Sequence, residues 1–246
     1  MLLYPIGTTA ACTVACDILK NSNFTLTDHP HPEITHVLLD VPAFSPDGYL
    51  RSGASAETIF SMLPPTVHVI GGNLGAACLD GYTKTDLLRD PYYLARNAEI
   101  TADCALRLAG KQMDRTFSDT HALVIGWGRI GKCLAQKLSA IGCKVTIAAR
   151  KEQDRAMLLA LGYNSVAIED LPASVNKHHV LFNTVPAALP ELKLPSNILA
   201  YELASSPGLT SDQAIIARGL PGTMAPDSSG ALIAERIIRL YQEESL

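Results

Sequence analysis

Three glycines in the run Gly126-Trp127-Gly128-Arg129-Ile130-Gly131 have the spacing that most directly implies chemistry. A Gly-x-Gly-x-x-Gly turn between an apolar strand and an amphipathic helix brings bare backbone up to a pyrophosphate. The first glycine permits the tight turn, the second the close approach of phosphate, and the third close helix–strand packing. The helix N-terminus behind them adds unpaired N–H groups and a partial positive charge. Glycine-rich turns are common, so a purely structural turn is the alternative reading. Here the apolar run His121–Ile125, a helix to about Ile141, the terminator Gly142 and a second strand at Val145–Ala148 fall in register for a dinucleotide.

The end of that second strand selects the cofactor. Where a carboxylate would take the ribose 2′-hydroxyl of NAD, the sequence has Ala149, Arg150 and Lys151. A guanidinium can lie along adenine and pair with a 2′-phosphate, which points to NADP. A solvated helix start is the alternative for the two cations. Two more segments follow apolar strands at the ends where open α/β sheets bind ligands: Asn183-Thr184-Val185-Pro186, and Glu202 followed by Leu203, Ala204, Ser205 and Ser206. Small polar side chains there suit the nicotinamide and its ribose, or serve ordinary turns. For a substrate, the N–H groups of Gly72 and Asn73 in Gly71-Gly72-Asn73 are candidates, as is Gly222 in Gly219-Leu-Pro-Gly222.

These residues need elements to hold them. Short apolar runs alternate with helical patterns: strands at Leu2–Ile6, Thr25–Thr27, Thr35–Val41 and Val67–Ile70, helices at Thr8–Lys20 and Ser55–Leu63. Residues 78–97 carry charge and punctuation, and Pro91 is expected to break any helix there. Helical periodicity resumes at Thr101 and lasts to about Leu108. Beyond the glycine turn come strands at Ser165–Ile168, Val180–Asn183 and Ile198–Leu203, and a last helix at Ser229–Tyr241. The expected fold is α/β in two lobes, each a parallel sheet with flanking helices. A flavodoxin-like substrate lobe takes residues 1–97, joined by the helix 229–243, and a Rossmann NADP-binding domain takes 98–228.

Composition narrows the function. Across 246 residues, 20 Lys plus Arg stand against 24 Asp plus Glu, a net charge of −4, so no basic surplus exists for a nucleic acid partner. No uninterrupted apolar window of membrane-spanning length occurs, and the apolar opening lacks a positive flank, so a soluble, cytoplasmic chain is expected. The six cysteines form no Cys-x-x-Cys pair. His29 and His31 lack a supporting carboxylate or thiol cluster, so no metal site is expected.

The segments VIGWGRIGKCLAQKLSAIGCKVTIAARK, FNTVPAALP, YELASSPGLT and GLPGTMAPDSSGALIAERI, preceded by LLRDPYYLARNAEITADCAL, resemble the A subunit of bacterial dipicolinate synthase over residues 70–240. The resemblance implies a nicotinamide-linked oxidation of a dihydrodipicolinate-type precursor, a small dicarboxylate, in a sporulating cell. It also implies a separate flavoprotein as partner, and two lobes like those of D-2-hydroxyacid dehydrogenases, with the active site in the cleft between them. The chain departs from that pattern at Glu202, where the family usually has Asp, and at Ser206, where it usually has Arg. Its opening, LLYPIGTTAAC, reads as a shortened lobe without the family's glycine-bearing strand–turn–helix, and the strand before Gly219 reads as compressed.

No acid or base stands out. Arg51, Lys84, Arg89 and Arg96 are the first-lobe cations that could meet a carboxylate, each also readable as a surface charge. His178 and His179 sit at the start of a strand, and no histidine follows them. A 2-hydroxyacid or shikimate-type dehydrogenase is the second enzyme reading, set back by that missing histidine. A non-catalytic NADP-binding scaffold or sensor is the reading from another class. A homo-oligomer is expected from the fold class.

Overall fold

The computed structural model describes residues 1–189 and 192–244. They form two compact units, Met1–Asn97 with Pro221–Leu246, and Ala98–Leu220.

In the first unit β1 (Leu2–Pro5) runs into α1 (Ala10–Asn21), followed by β2 (Thr25–Leu26), β3 (His36–Leu38), α2 (Ala56–Phe60), β4 (His68–Gly71) and β5 (Thr83–Asp86). All pairings are parallel, in the order β2-β1-β3-β4-β5, the flavodoxin-like arrangement. Val37, Leu39, Val67 and Val69 bury one face against Phe60, Leu63 and Leu79. The opening LLYPIGTTAAC is therefore itself a glycine-bearing strand–turn–helix, which the sequence reading missed. Gly7 is needed at its turn, since a Cβ there would stand 2.6 Å from Cys12 Sγ and 2.8 Å from Asp40 Oδ1.

Pro91 does not break a helix; it begins one. In α3 (Pro91–Gly110) proline stands at the first turn, where its missing N–H has no helical partner to lose. Asp90 Oδ1 accepts from the Tyr93 amide at 2.7 Å, capping the turn. The single helix absorbs the polar 91–100 stretch, and the division between the units falls within it.

The second unit carries β6 (His121–Ile125), α4 (Arg129–Ala140), β7 (Lys144–Ala148), α5 (Glu152–Ala160), β8 (Asn164–Val166), α6 (Leu171–Ser174), β9 (Val180–Asn183), β10 (Leu199–Glu202) and β11 (Ile215–Ile216). The order β11-β10-β9-β6-β7-β8, parallel throughout, is the Rossmann order. Leu123, Ile125, Ala148, Leu181 and Ala200 bury its face against Leu171, Val175 and Leu209. β11 has only two residues.

The Gly219–Gly222 stretch is not simply a loop, because α7 (Leu220–Met224) starts inside it, and α8 (Pro226–Glu244) follows. Residues 221–228, expected with the nucleotide domain, belong to the first unit. There α8 lies close on α1: a Cβ on Gly230 would stand 2.5 Å from the Ala11 carbonyl oxygen and 2.6 Å from Val14 Cβ. Arg236 Nε donates to Asp90 Oδ2 at 2.7 Å within the same unit.

Candidate functional site

Parallel pairing sets the carboxyl ends of β6, β7, β9 and β10 along one edge of the second sheet. The three glycines after β6 do different work there. Gly126 has φ +105°, and a Cβ on it would stand 2.5 Å from Thr184 Oγ1 and 2.8 Å from Val185 Cγ2. A Cβ on Gly131 would come within 2.1 Å of the Gly126 carbonyl oxygen, so helix and strand touch there backbone to backbone. Around Gly128 there is nothing within 4 Å of that position. It is exposed, and it is the N-cap of α4 without any side-chain capping bond.

The first unit's corresponding turn is closed. Asp40, 3% exposed, accepts from the Thr8 and Thr9 amides, both at 3.0 Å, and from the Thr9 hydroxyl at 2.6 Å. Thr9 Oγ1 in turn accepts from the Cys12 amide at 3.3 Å. A protein carboxylate thus fills the N-terminus of α1, whereas α4 presents its first turn to solvent. Arg129 is exposed and Ile130 half-buried in that turn. The Trp127 ring meets Tyr163 edge-on at 6.1 Å and lies 5.6 Å from Lys132 Nζ.

Beyond β7, Ala149 is buried while Arg150 and Lys151 are exposed, Lys151 being the N-cap of α5. Arg155 is a residue that the sequence alone did not single out. Its Nη1 donates to the carbonyls of Ala149 at 2.8 Å and Arg150 at 2.9 Å, fixing the turn that carries the two cations. Its place in the first turns of a helix right after the cationic pair was the available signal.

Beyond β9, Thr184 Oγ1 donates to the Ile125 carbonyl at 2.8 Å, tying this turn to the glycine turn. Asn183 Oδ1 accepts from the Val185 amide at 3.0 Å, and Pro186 is exposed. Asn183 Nδ2 lies 2.9 Å from each Glu202 oxygen. Glu202 is fully buried and also accepts from the amides of Ala204, Gly208 and Leu209 at 3.0, 2.8 and 3.0 Å. Leu203 and Ala204 are buried, and Ser205 and Ser206 are exposed. These groups converge on one edge, and they fit a dinucleotide: an open glycine, an uncapped helix N-terminus and exposed cations one strand away.

The candidate substrate donors are already engaged. The Gly72 amide donates to the Asp40 carbonyl at 3.1 Å, and the Asn73 amide to Asp86 Oδ1 at 2.9 Å. Gly72 is also closed in, with its absent Cβ 2.6 Å from Val41 Cγ1. Gly222 lies in α7, in the first unit. Among the first-lobe cations, Arg51 Nε donates to the Pro42 carbonyl at 3.0 Å, and Lys84 and Arg89 lie 3.5 and 3.8 Å from Asp80 and Asp86.

His178 and His179 lie at the amino-terminal end of β9, away from the glycine turn. His178 Nδ1 is 3.0 Å from the Ser174 carbonyl oxygen, and burial pushes its imidazole below the usual range. His179 shifts the same way, from burial and then from Arg115 and His121. Among the described residues no three His, Cys, Asp or Glu side chains group as metal ligands, and no helix is long and apolar enough to cross a membrane.

Sheet order, glycine turn and cationic β7 end define the second unit as a nucleotide-binding unit of the NAD(P)-dependent dehydrogenase type. Within that class the chain is similar to the A subunit of dipicolinate synthase. The Bacillus subtilis protein of that name is 28% identical over 159 residues, 60% of this chain and 54% of that one. The chain thus spans about half the length of the curated relative it matches. The model of the shikimate / quinate 5-dehydrogenase family matches residues 107–195. Glutamyl-tRNA reductase of Aliivibrio salmonicida is 27% identical over 96 residues, 38% of this chain and 23% of that one.

Solved structures share the fold. The A subunit of dipicolinate synthase from Bacillus halodurans superposes with a TM-score of 0.84 at 21% identity, covering 97% of both chains. A transhydrogenase from Sinorhizobium meliloti gives a TM-score of 0.73 at 12% identity, covering 99% of this chain and 94% of that one.

Proposed function

We propose that the chain is the NADP-dependent oxidoreductase component of a dipicolinate-forming enzyme, oxidising a dihydrodipicolinate-type dicarboxylate together with a flavoprotein partner. The observation that carries this reading is the uncapped α4 N-terminus behind an open Gly128, with Arg150 and Lys151, and no carboxylate, at the end of β7. The likeness to the A subunit of dipicolinate synthase supplies the substrate class and the partner.

In this reading Gly126, Trp127, Gly128, Arg129, Ile130 and Gly131 cradle the pyrophosphate. Ala149 makes room for adenosine, and Arg150 and Lys151 pair with the 2′-phosphate. Asn183, Thr184, Val185 and Pro186, with Leu203, Ala204 and Ser205, frame the nicotinamide half, and exposed Ser206 stands beside them toward the substrate. NADP, when bound, supplies a hydride acceptor. Water takes the proton as the ring becomes aromatic, so the chain need not present a dedicated base. The chain acts in the cytoplasm of a sporulating cell as a homo-oligomer.

The experiment mixes the purified chain, the flavoprotein, NADP and freshly generated dihydrodipicolinate, and follows dipicolinate by its ultraviolet absorbance. Product formation that requires both proteins and NADP is expected. Background rates with NADPH binding intact would refute the substrate and keep the cofactor. The match to the shikimate / quinate 5-dehydrogenase model over 107–195 favours one alternative, a shikimate-type dehydrogenase, for which shikimate oxidation in the same assay is the test.

A further inference from the structure

Glu202 is a fully buried carboxylate at the carboxyl end of β10. A charge in that position is costly unless donors satisfy it. Here donors surround it. Oε1 faces Asn183 Nδ2 and the Ala204 amide, and Oε2 faces Asn183 Nδ2 and the amides of Gly208 and Leu209. Both oxygens meet donors alone, the pattern an acceptor-only carboxylate satisfies.

The consequence is geometric. One side chain joins the turn after β9, through Asn183, to both ends of the turn after β10. The junction is tight, because a Cβ on Gly208 would stand 2.6 Å from the Ala187 carbonyl oxygen and 2.7 Å from Asn183 Nδ2. In a Rossmann sheet the half built on β9, β10 and β11 takes the nicotinamide, and the half built on β6, β7 and β8 takes the adenosine. Glu202 therefore lies on the nicotinamide side only, well away in the strand order from Arg150.

We infer that Glu202 is a positioning residue for the nicotinamide half of the cofactor. It holds the two turns that frame the ring, and its buried negative charge favours the oxidised, cationic nicotinamide over the reduced one. The inference rests on the nucleotide reading above and assigns a role within it.

The test titrates NADP, NADPH and 2′,5′-ADP, which fills the adenosine half only, into the wild-type chain and Glu202→Gln. The glutamine keeps the shape and removes the charge. The expected result is an affinity for 2′,5′-ADP within about twofold of wild type, with NADP weakened by about tenfold and NADPH by less. Equal losses for all three ligands, or no loss for NADP, would overturn the inference. Wild-type chain that binds none of them would overturn the nucleotide reading instead, and this inference with it.

Should Glu202→Gln fail to fold, amide chemical shifts of the wild-type chain decide. NADP is expected to move the Val185, Ala204, Gly208 and Leu209 amides while 2′,5′-ADP leaves them in place. Shifts unmoved by NADP, or moved alike by both ligands, would overturn the inference.

Discussion

The Cβ that Gly131 lacks would stand 2.1 Å from the carbonyl oxygen of Gly126, while the one that Gly128 lacks would meet nothing within 4 Å. The two glycines are needed for different reasons, and substitution separates them. Gly131→Ala drives a methyl group into backbone, which must shift. It is expected to cost the second unit more than about 2 kcal/mol, read from urea unfolding. Gly128→Ala is expected to unfold within about 0.5 kcal/mol of wild type, yet to bind NADPH at least about tenfold more weakly, because in the proposed reading the methyl would stand where the phosphates approach. Normal NADPH affinity in Gly128→Ala would mean that the glycine turn is structural.

Arg150 is exposed at the end of β7, and Arg155 Nη1 bonds the carbonyls beneath it. In the proposed reading Arg150 makes a charge-assisted pair to the 2′-phosphate, which its removal takes away. Arg150→Ala is expected to weaken NADPH by about tenfold, and to leave NADH nearly unchanged. Calorimetric titration of both nucleotides checks it, and equal losses would make Arg150 a structural residue.

The second unit was legible where strong local signals coincide. β6 is an apolar run, α4 an amphipathic helix, and Gly126 takes a positive φ, so each level of the sequence points the same way. Legibility failed where partners lie far apart in the chain. Asp86 binds the Asn73 and Leu74 amides across 13 and 12 residues, and Asp40 binds Thr8 and Thr9 across 32 and 31. Neither carboxylate differs in local pattern from a surface one, so Asn73 reads as an open donor when it is not, and the Gly72 amide is taken by a backbone carbonyl, that of Asp40, equally far along the chain. Pro91 misled for another reason: proline excludes a helix interior but suits its first turn, and Asp90 just before it was the missed start signal. Glu202 could be found as a family departure but not as a hub, since its donors come from two turns.

Asp40 is the acceptor for three donors at the start of α1. Asp40→Ala would leave the Thr8 and Thr9 amides without that acceptor. A loss of about 2–4 kcal/mol in the first unit is expected, from the loss of three part-buried hydrogen bonds to a carboxylate. Chemical denaturation followed by circular dichroism measures it, and a change below about 0.5 kcal/mol would contradict the assignment.

Burial holds the His178 imidazole below its ordinary value of 6.5, and His179 is displaced in the same direction. Just below pH 6.5 the unfolded chain binds more protons than the folded one, so stability is fully present above that pH and declines as pH falls. The urea midpoint is expected to drop between about pH 7 and about pH 5.5, and His178→Gln to flatten that dependence. A midpoint equally pH-dependent in the variant would assign the effect elsewhere.

Trp127 is the single tryptophan of the chain and stands between Gly126 and Gly128. Its emission overlaps the absorbance of a reduced nicotinamide, so energy transfer reports cofactor bound near this turn. The measurement is quenching of Trp127 during titration with NADPH and, in parallel, NADH. Saturable quenching by NADPH is expected at concentrations at least about tenfold below those needed for NADH, the discrimination a charge-assisted 2′-phosphate contact supplies. Quenching that never saturates, or NADH acting at equal or lower concentration, would contradict NADP binding at the glycine turn.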